Sequence, residues 1–178
     1  MCAECHSTNL KMGFDAASNT FDTTYSEISV GCESCHGPAA QHVAWAKHPP
    51  LARKKIANYG LYVQSSNLST EKQIVLCAPC HSRRYQLGDN NHETGELLDL
   101  MVPSLLTEDL YYADGQIKEE VYVYGSYTQS KMYHRGVRCS DCHDVHSLKT
   151  FSDPEKGNDL CLQCHRATEY DNTAHHFH

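Results

Sequence analysis

Five times along the chain, two cysteines stand three positions apart with a histidine directly after the second. They are Cys2, Cys5 and His6; Cys32, Cys35 and His36; Cys77, Cys80 and His81; Cys139, Cys142 and His143; and Cys161, Cys164 and His165. No other feature constrains the fold as tightly, because these positions use all 10 cysteines of the 178-residue chain. With 13 histidines in 178 positions, a His at all five chosen sites is by chance on the order of a one-in-half-a-million event. The unit is therefore Cys-x-x-Cys-His, not Cys-x-x-Cys.

Cys-x-x-Cys-His is the attachment sequence of c-type haem. The two thiols add to the vinyl groups of one porphyrin as thioethers, and the adjacent imidazole ligates the iron from the proximal side. On a helical turn, positions i, i+3 and i+4 share a face, so both sulfurs and the imidazole meet one porphyrin. Five motifs predict five haem c groups with His6, His36, His81, His143 and His165 as proximal iron ligands. Two other chemistries use similar strings. Paired Cys-x-x-Cys units hold zinc, but zinc gives no reason for a His after every pair. Thioredoxin-like redox pairs need a βαβ context, which this sequence lacks.

Hydrophobic residues make up 40% and charged residues 21%, which excludes a disordered or collagen-like chain. The length suits one domain, and residues 1–178 read as a single pentahaem unit. Mean hydropathy is −0.57. The longest apolar stretch, residues 97–106, contains Asp99, Pro103 and Ser104, whereas a membrane-spanning helix needs about 20 apolar residues. Fifteen Lys and Arg against 22 Asp and Glu give a net charge of −7, and no basic run exceeds Arg53-Lys54-Lys55. Nucleic acid is thus not an expected partner. Haem is attached outside the cytoplasm, so the expected location is the periplasm or the cell surface. The first motif begins at Cys2, with no secretory signal ahead of it. The expectation is a fragment of a longer multihaem protein, the alternative being a signal already removed.

The expected fold class is mainly α with much irregular structure: short helices around five covalent haems, plus one β-hairpin near 110–124. Helices are expected over 71–80, running into the third motif, and over 129–137, leading into the fourth. Another, over 39–47, continues from the second motif until Pro49-Pro50 stops it. Residues 96–106 have helical apolar spacing broken by Pro103. The Asp114-Gly115 pair separates 110–112 from 117–124, where Val121 and Val123 alternate with Tyr122 and Tyr124. That hairpin would be the only sheet. Cys139 and Cys161 open the two motifs closest in sequence, so their haems are expected to be neighbours.

Eight histidines lie outside the motifs: His42, His48, His92, His134, His146, His175, His176 and His178. His42 follows His36 by six residues and His146 follows His143 by three. Each is too near its own motif to cross to the far face of the same haem. Both are read as distal ligands of a neighbouring haem, tying two haems together. One of His175, His176 and His178 ranks next, followed by His134, His92 and His48. Arg83 and Arg84, directly after the third motif, are candidates to pair with haem propionates.

The strings Cys-Glu-Ser-Cys-His-Gly-Pro-Ala-Ala-Gln-His, from Cys32 to His42, and Cys-Ser-Asp-Cys-His-Asp-Val-His, from Cys139 to His146, resemble those of extracytoplasmic multihaem cytochromes. That group includes hydroxylamine-oxidoreductase-like and ammonia-forming nitrite-reductase-like proteins. The closer likeness is to the multihaem cytochrome domain often fused to tetratricopeptide repeats, carried by residues 3–10, 112–117, 130–133, 139–147 and 175–178. The likeness spans nearly all the chain. It implies bis-histidine-ligated haems in close contact that pass electrons to redox partner proteins, and further haem motifs and repeats outside these residues, both of which this sequence lacks. Relatives often carry a distal His seven residues before the first Cys of a motif. Met132 holds that place before Cys139, and methionine also ligates haem iron, so Met132 and His134 compete for one role. His178 is a further candidate, for a haem attached beyond the end of the chain.

Electron transfer is the expected function, and an electron carrier is favoured over a catalyst. An oxidoreductase acting on a small nitrogen or sulfur compound would need one iron with an open sixth position. All five motifs end in His, and distal candidates are abundant. A third reading is a homo-oligomer or a subunit of a conductive filament, with a ligand such as His178 donated to another copy.

Overall fold

A computed structural model describes residues 2–88, 96–152, 154–170 and 172–176, with the backbone alone for 154–157 and 175–176. Two compact units emerge, Met1–Gly136 and Val137–His178.

The first unit opens with the single turn α1 (Cys2–Cys5). An irregular antiparallel arm follows. Bridges Thr8↔Glu27 and Lys11↔Thr24 continue in register into β1 (Phe14–Asp15) and β2 (Thr20–Phe21), where Phe14 pairs with Phe21. The Asp15 carboxylate closes the tip by accepting from Ala17 N–H and Ser18 Oγ. The base is fastened by Thr8, 1% exposed. Its hydroxyl donates to the Ser29 carbonyl at 2.7 Å and accepts from Gly31 N–H at 2.9 Å.

Next come α2 (Glu33–His36) and α3 (Ala40–Ala46), which the left-handed Gly37 (φ +67°) and Pro38 hold apart. The expected helix over 39–47 is therefore present but does not continue from the second motif. The longest helix, α4 (Thr70–His81), begins at a Ser69 cap that accepts from Lys72 N–H. It buries Gln73, Ile74, Ala78 and Pro79. Past it the chain turns extended into β3 (Arg84–Gln86). The single turn α5 (Leu97–Leu100) leads into β4 (Met101–Pro103), antiparallel to β3 with Gln86 opposite Met101. Ala78, Leu97 and Met101 form the core cluster, with Val75, Leu100 and Tyr124 packed against it. The unit ends with α6 (Tyr124–Thr128) and α7 (Lys131–His134).

The second unit holds β5 (His143–Asp144) paired with β6 (Lys149–Thr150), a 3-10 run over Pro154–Gln163, α8 (Ala167–Tyr170) and α9 (Thr173–His176).

Three sequence expectations are corrected. The fold is mixed and mostly irregular instead of mainly α, its short helices interleaved with two-stranded ladders. The hairpin near 110–124 reduces to one bridge, Tyr111↔Ile117. Tyr122 is left-handed (φ +59°), which breaks a strand, and Tyr124 already starts α6. The three ladders lie elsewhere, and one uses residues 101–103, where helical spacing was expected.

Among the described residues, the buried apolar side chains are Ile74, Ala78, Pro79, Leu97, Met101, Tyr111 and Val121, all in the first unit. No residue with described burial is buried in the second. Exposed large apolar side chains far outnumber them, from Phe14 and Phe21 to Leu148 and Phe151.

Candidate functional site

Four of the five motifs form the helical turn that their spacing predicts. His6 N–H donates to the Cys2 carbonyl at 3.0 Å, His36 N–H to Cys32 at 2.9 Å and His165 N–H to Cys161 at 2.9 Å. Cys77, Cys80 and His81 occupy the last turn of α4. In each, two thiols and an imidazole share one face. The fourth departs from the expectation. Cys139–Asp141 is a 3-10 turn, with Cys142 N–H on the Cys139 carbonyl at 3.1 Å, and His143 starts β5 opposite Thr150. The cause is local. The Asp141 carboxylate accepts Arg138 N–H at 2.8 Å and pairs with its guanidinium at 3.1 Å, tightening the turn, while the β5–β6 ladder takes up His143. These amide and guanidinium bonds hold the Asp141 carboxyl below its usual range, the backbone bond first.

Within the first unit, three motifs gather. The Cys5 thiol donates to the Cys80 carbonyl at 3.9 Å. Burial pushes the Cys80 thiol up to about 11, reinforced by Cys5 beside it and by Cys35 of the second motif, while Arg84 opposes the rise. Burial also raises Cys35, helped by Cys32. In the second unit, burial and then Asp141, Cys161, Cys164 and Cys139 raise Cys142, so the last two motifs lie together as their short separation predicts. None of the ten cysteines is in a disulfide.

The donor set fits haem. Among the described residues, no three His, Cys, Asp or Glu side chains converge on a point where a bare ion would sit. A porphyrin supplies four nitrogens of its own, so haem iron asks the protein for only one or two ligands. The chain holds the His36 ring in place. Its Nδ1 faces the Val63 carbonyl at 2.8 Å. A carbonyl only accepts, so Nδ1 carries the proton and Nε2 the lone pair, as in metal-ligating histidines.

His42, on α3, repeats this arrangement, with Nδ1 donating to the Tyr59 carbonyl at 2.8 Å. Its ring lies 5.7 Å from Trp45, which in turn lies 5.5 Å from Tyr59. Three successive left-handed residues, Asn58 (φ +49°), Tyr59 (φ +55°) and Gly60 (φ +76°), aim that carbonyl. A Cβ on Gly60 would stand 3.0 Å from both the His42 backbone nitrogen and Ile56 Cδ1. Gly60→Ala is therefore expected to cost about 1–2 kcal/mol from the backbone alone. A lowered thermal midpoint checks this, and an unchanged one would refute it.

The other candidates are scattered. His48 is exposed after α3, and exposed His134 ends α7, its ring 5.3 Å from Tyr133. Met132, in the same helix, is 46% exposed. His146 lies in the β5–β6 turn, its N–H on Asp144 Oδ1 at 3.1 Å. His165 meets Tyr170 edge-on at 4.4 Å. The backbones of His175 and His176 belong to α9, while His92 and His178 lie outside the described residues.

Sequence reasoning missed the Val63 and Tyr59 carbonyls, since neither side chain signals a role. It also missed how differently Arg83 and Arg84 are placed. Arg83 is exposed, whereas the Arg84 side chain is only 6% exposed and pairs with Glu4 at 3.3 Å. Side chains alternate along extended chain, which separates Arg83 from Arg84 at the start of β3.

A family model described as the doubled CXXCH motif matches residues 133–170, and one described as cytochrome c554 and c-prime matches residues 1–37. The chain is also similar to the multiheme cytochrome MtrA of Shewanella baltica (strain OS185), with 25% identity over 180 residues that cover 92% of this chain. They cover 51% of that relative, so the chain spans about half its length. No solved structure matches.

Proposed function

We propose that this chain, a multihaem c-type cytochrome, carries electrons through five covalently attached haems. The observation that carries this reading is the gathering of its motifs. In the first unit Cys5 Sγ lies 3.9 Å from the Cys80 carbonyl, and Cys5 and Cys35 both act on the Cys80 thiol; in the second, Cys161 and Cys164 act on Cys142. Covalent attachment at such points keeps cofactors close together, which electron transfer between them requires. Bound haem supplies the redox chemistry, each iron taking up and releasing one electron.

The chain's own part is to fix each group and set its surroundings. The ten cysteines would tether the haems, and His6, His36, His81, His143 and His165 would ligate their irons. His42, with its proton held on Nδ1 by the Tyr59 carbonyl, would offer Nε2 to a neighbouring haem. His146 does the same in the second unit, and the remaining distal ligands come from His134 or Met132, His48, His92 and the terminal histidines. Exposed rings such as Phe14 and Phe21, 4.9 Å apart, supply apolar surface for porphyrin.

We place the protein outside the cytoplasm, where c-type haem is attached, with redox proteins as partners. No helix among the described residues is long and apolar enough to cross a membrane. A pyridine haemochrome assay with intact mass on protein matured in a haem-attaching host is expected to give about five haems per chain, one per motif. A colourless protein carrying zinc would overturn the reading.

A further inference from the structure

We propose that Arg84 and Glu4 form a buried charge pair that sets the reduction potentials of the haems at the first and third motifs. This rests on the electron-transfer reading and adds the residues that tune it.

Arg84 is the first residue of β3, three positions after His81, and Glu4 stands inside the first motif. Arg84 Nη2 lies 3.3 Å from Glu4 Oε2 and 3.9 Å from Cys5 Sγ, and Cys5 Sγ lies 3.9 Å from the Cys80 carbonyl. The pair thus sits where the tethering residues of two motifs meet. The Arg84 and Glu4 side chains are 6% and 16% exposed, so solvent screens them little. Arg84 Nε is buried and makes no hydrogen bond.

An ion pair in such a place is poorly explained by stability. The cost of removing two charges from water commonly matches or exceeds their attraction, and an apolar pair would serve as well. A buried donor left unsatisfied adds to that cost. What the arrangement does provide is a fixed charge beside the sulfur that becomes a haem thioether. Reduction removes one positive charge from a haem, so the Arg84 cation favours the reduced state and raises the potential. The Glu4 carboxylate does the opposite, and Coulomb's law sets both effects by distance and local dielectric. Charge and hydrogen bonding near the macrocycle are among the protein's means of tuning potential.

The test is a potentiometric titration of the haem-loaded protein followed in the visible spectrum, with dithionite as reductant and ferricyanide as oxidant. Arg84→Gln is expected to shift two of the component midpoints downward, because it removes a cation and bares Glu4. Glu4→Gln is expected to shift the same two upward. Arg84→Lys, which keeps the charge, should stay near the parent curve, and the double variant should fall between the two single ones.

Unchanged midpoints in Arg84→Gln, or downward shifts in both single variants, would overturn the inference, the latter marking structural damage. Should Arg84→Gln fail to fold, Glu4→Gln decides alone: an upward shift supports the inference and no shift refutes it. A parent protein that is haem-loaded but takes up no electrons would instead sink the electron-transfer reading.

Discussion

The same polypeptide made without haem attachment is expected to show no cooperative thermal transition. The reason lies in how little of it is buried. Among the residues with described burial, the first unit encloses seven apolar side chains and the second buries none. Leu51, Ile28, Leu105 and Leu148 are each at least three-quarters exposed, a poor return for a folded chain. A domain of this size is stable by only about 5–15 kcal/mol, and here most of the apolar contact must come from porphyrin. Folding is then coupled to the cofactor, as it is to zinc in small metal domains. Mutating the ten cysteines to serine, or producing the chain where haem is not attached, should give a weak near-ultraviolet circular dichroism signal, strong dye binding and rapid proteolysis. A sharp calorimetric transition in the haem-free chain would refute the expectation.

His42→Ala is expected to open one iron. With Nε2 removed, one haem should lose its sixth ligand and become high-spin, and the reduced protein should bind about one carbon monoxide per chain where the parent binds none. Total haem should not change, because no tether is touched. This separates His42 from a proximal ligand: His36→Ala removes the imidazole inside a motif and should disturb assembly of that site. If His42→Ala leaves the spectrum low-spin and closed to carbon monoxide, the iron it was assigned to takes its ligand elsewhere, and His48 would be the next substitution in that unit.

Much of the site could be read from residue order. The Cys-x-x-Cys-His spacing predicts a helical turn, and four turns form because nothing nearby competes. The fourth shows what spacing leaves out: Asp141 caps back onto Arg138, and His143 is drawn into a ladder. Helix α4 was legible because its apolar positions and the Ser69 cap lie within one segment. The β3–β4 ladder was not. The apolar run 97–106 suits one helical turn as well as a strand, and only the distant partner at 84–86 decides between them. The arm from Thr8 to Glu27 was invisible for another reason. Half of its residues are Ser, Thr, Asn or Asp, without the alternation that marks a strand, and Thr8 secures it through one hydroxyl.

The backbone carbonyls behind His36 and His42 bear on how such a protein yields to genetics. Each imidazole is oriented by a main-chain oxygen, of Val63 and of Tyr59. Exchanging those side chains leaves the acceptors in place, so an alanine scan removes neither contact with the imidazoles. Tyr59 is the clearer case for a designer: glycine there would relieve its left-handed backbone and still keep the carbonyl. The mutational signal of this contact would surface one residue later, at Gly60, which contributes no side chain at all.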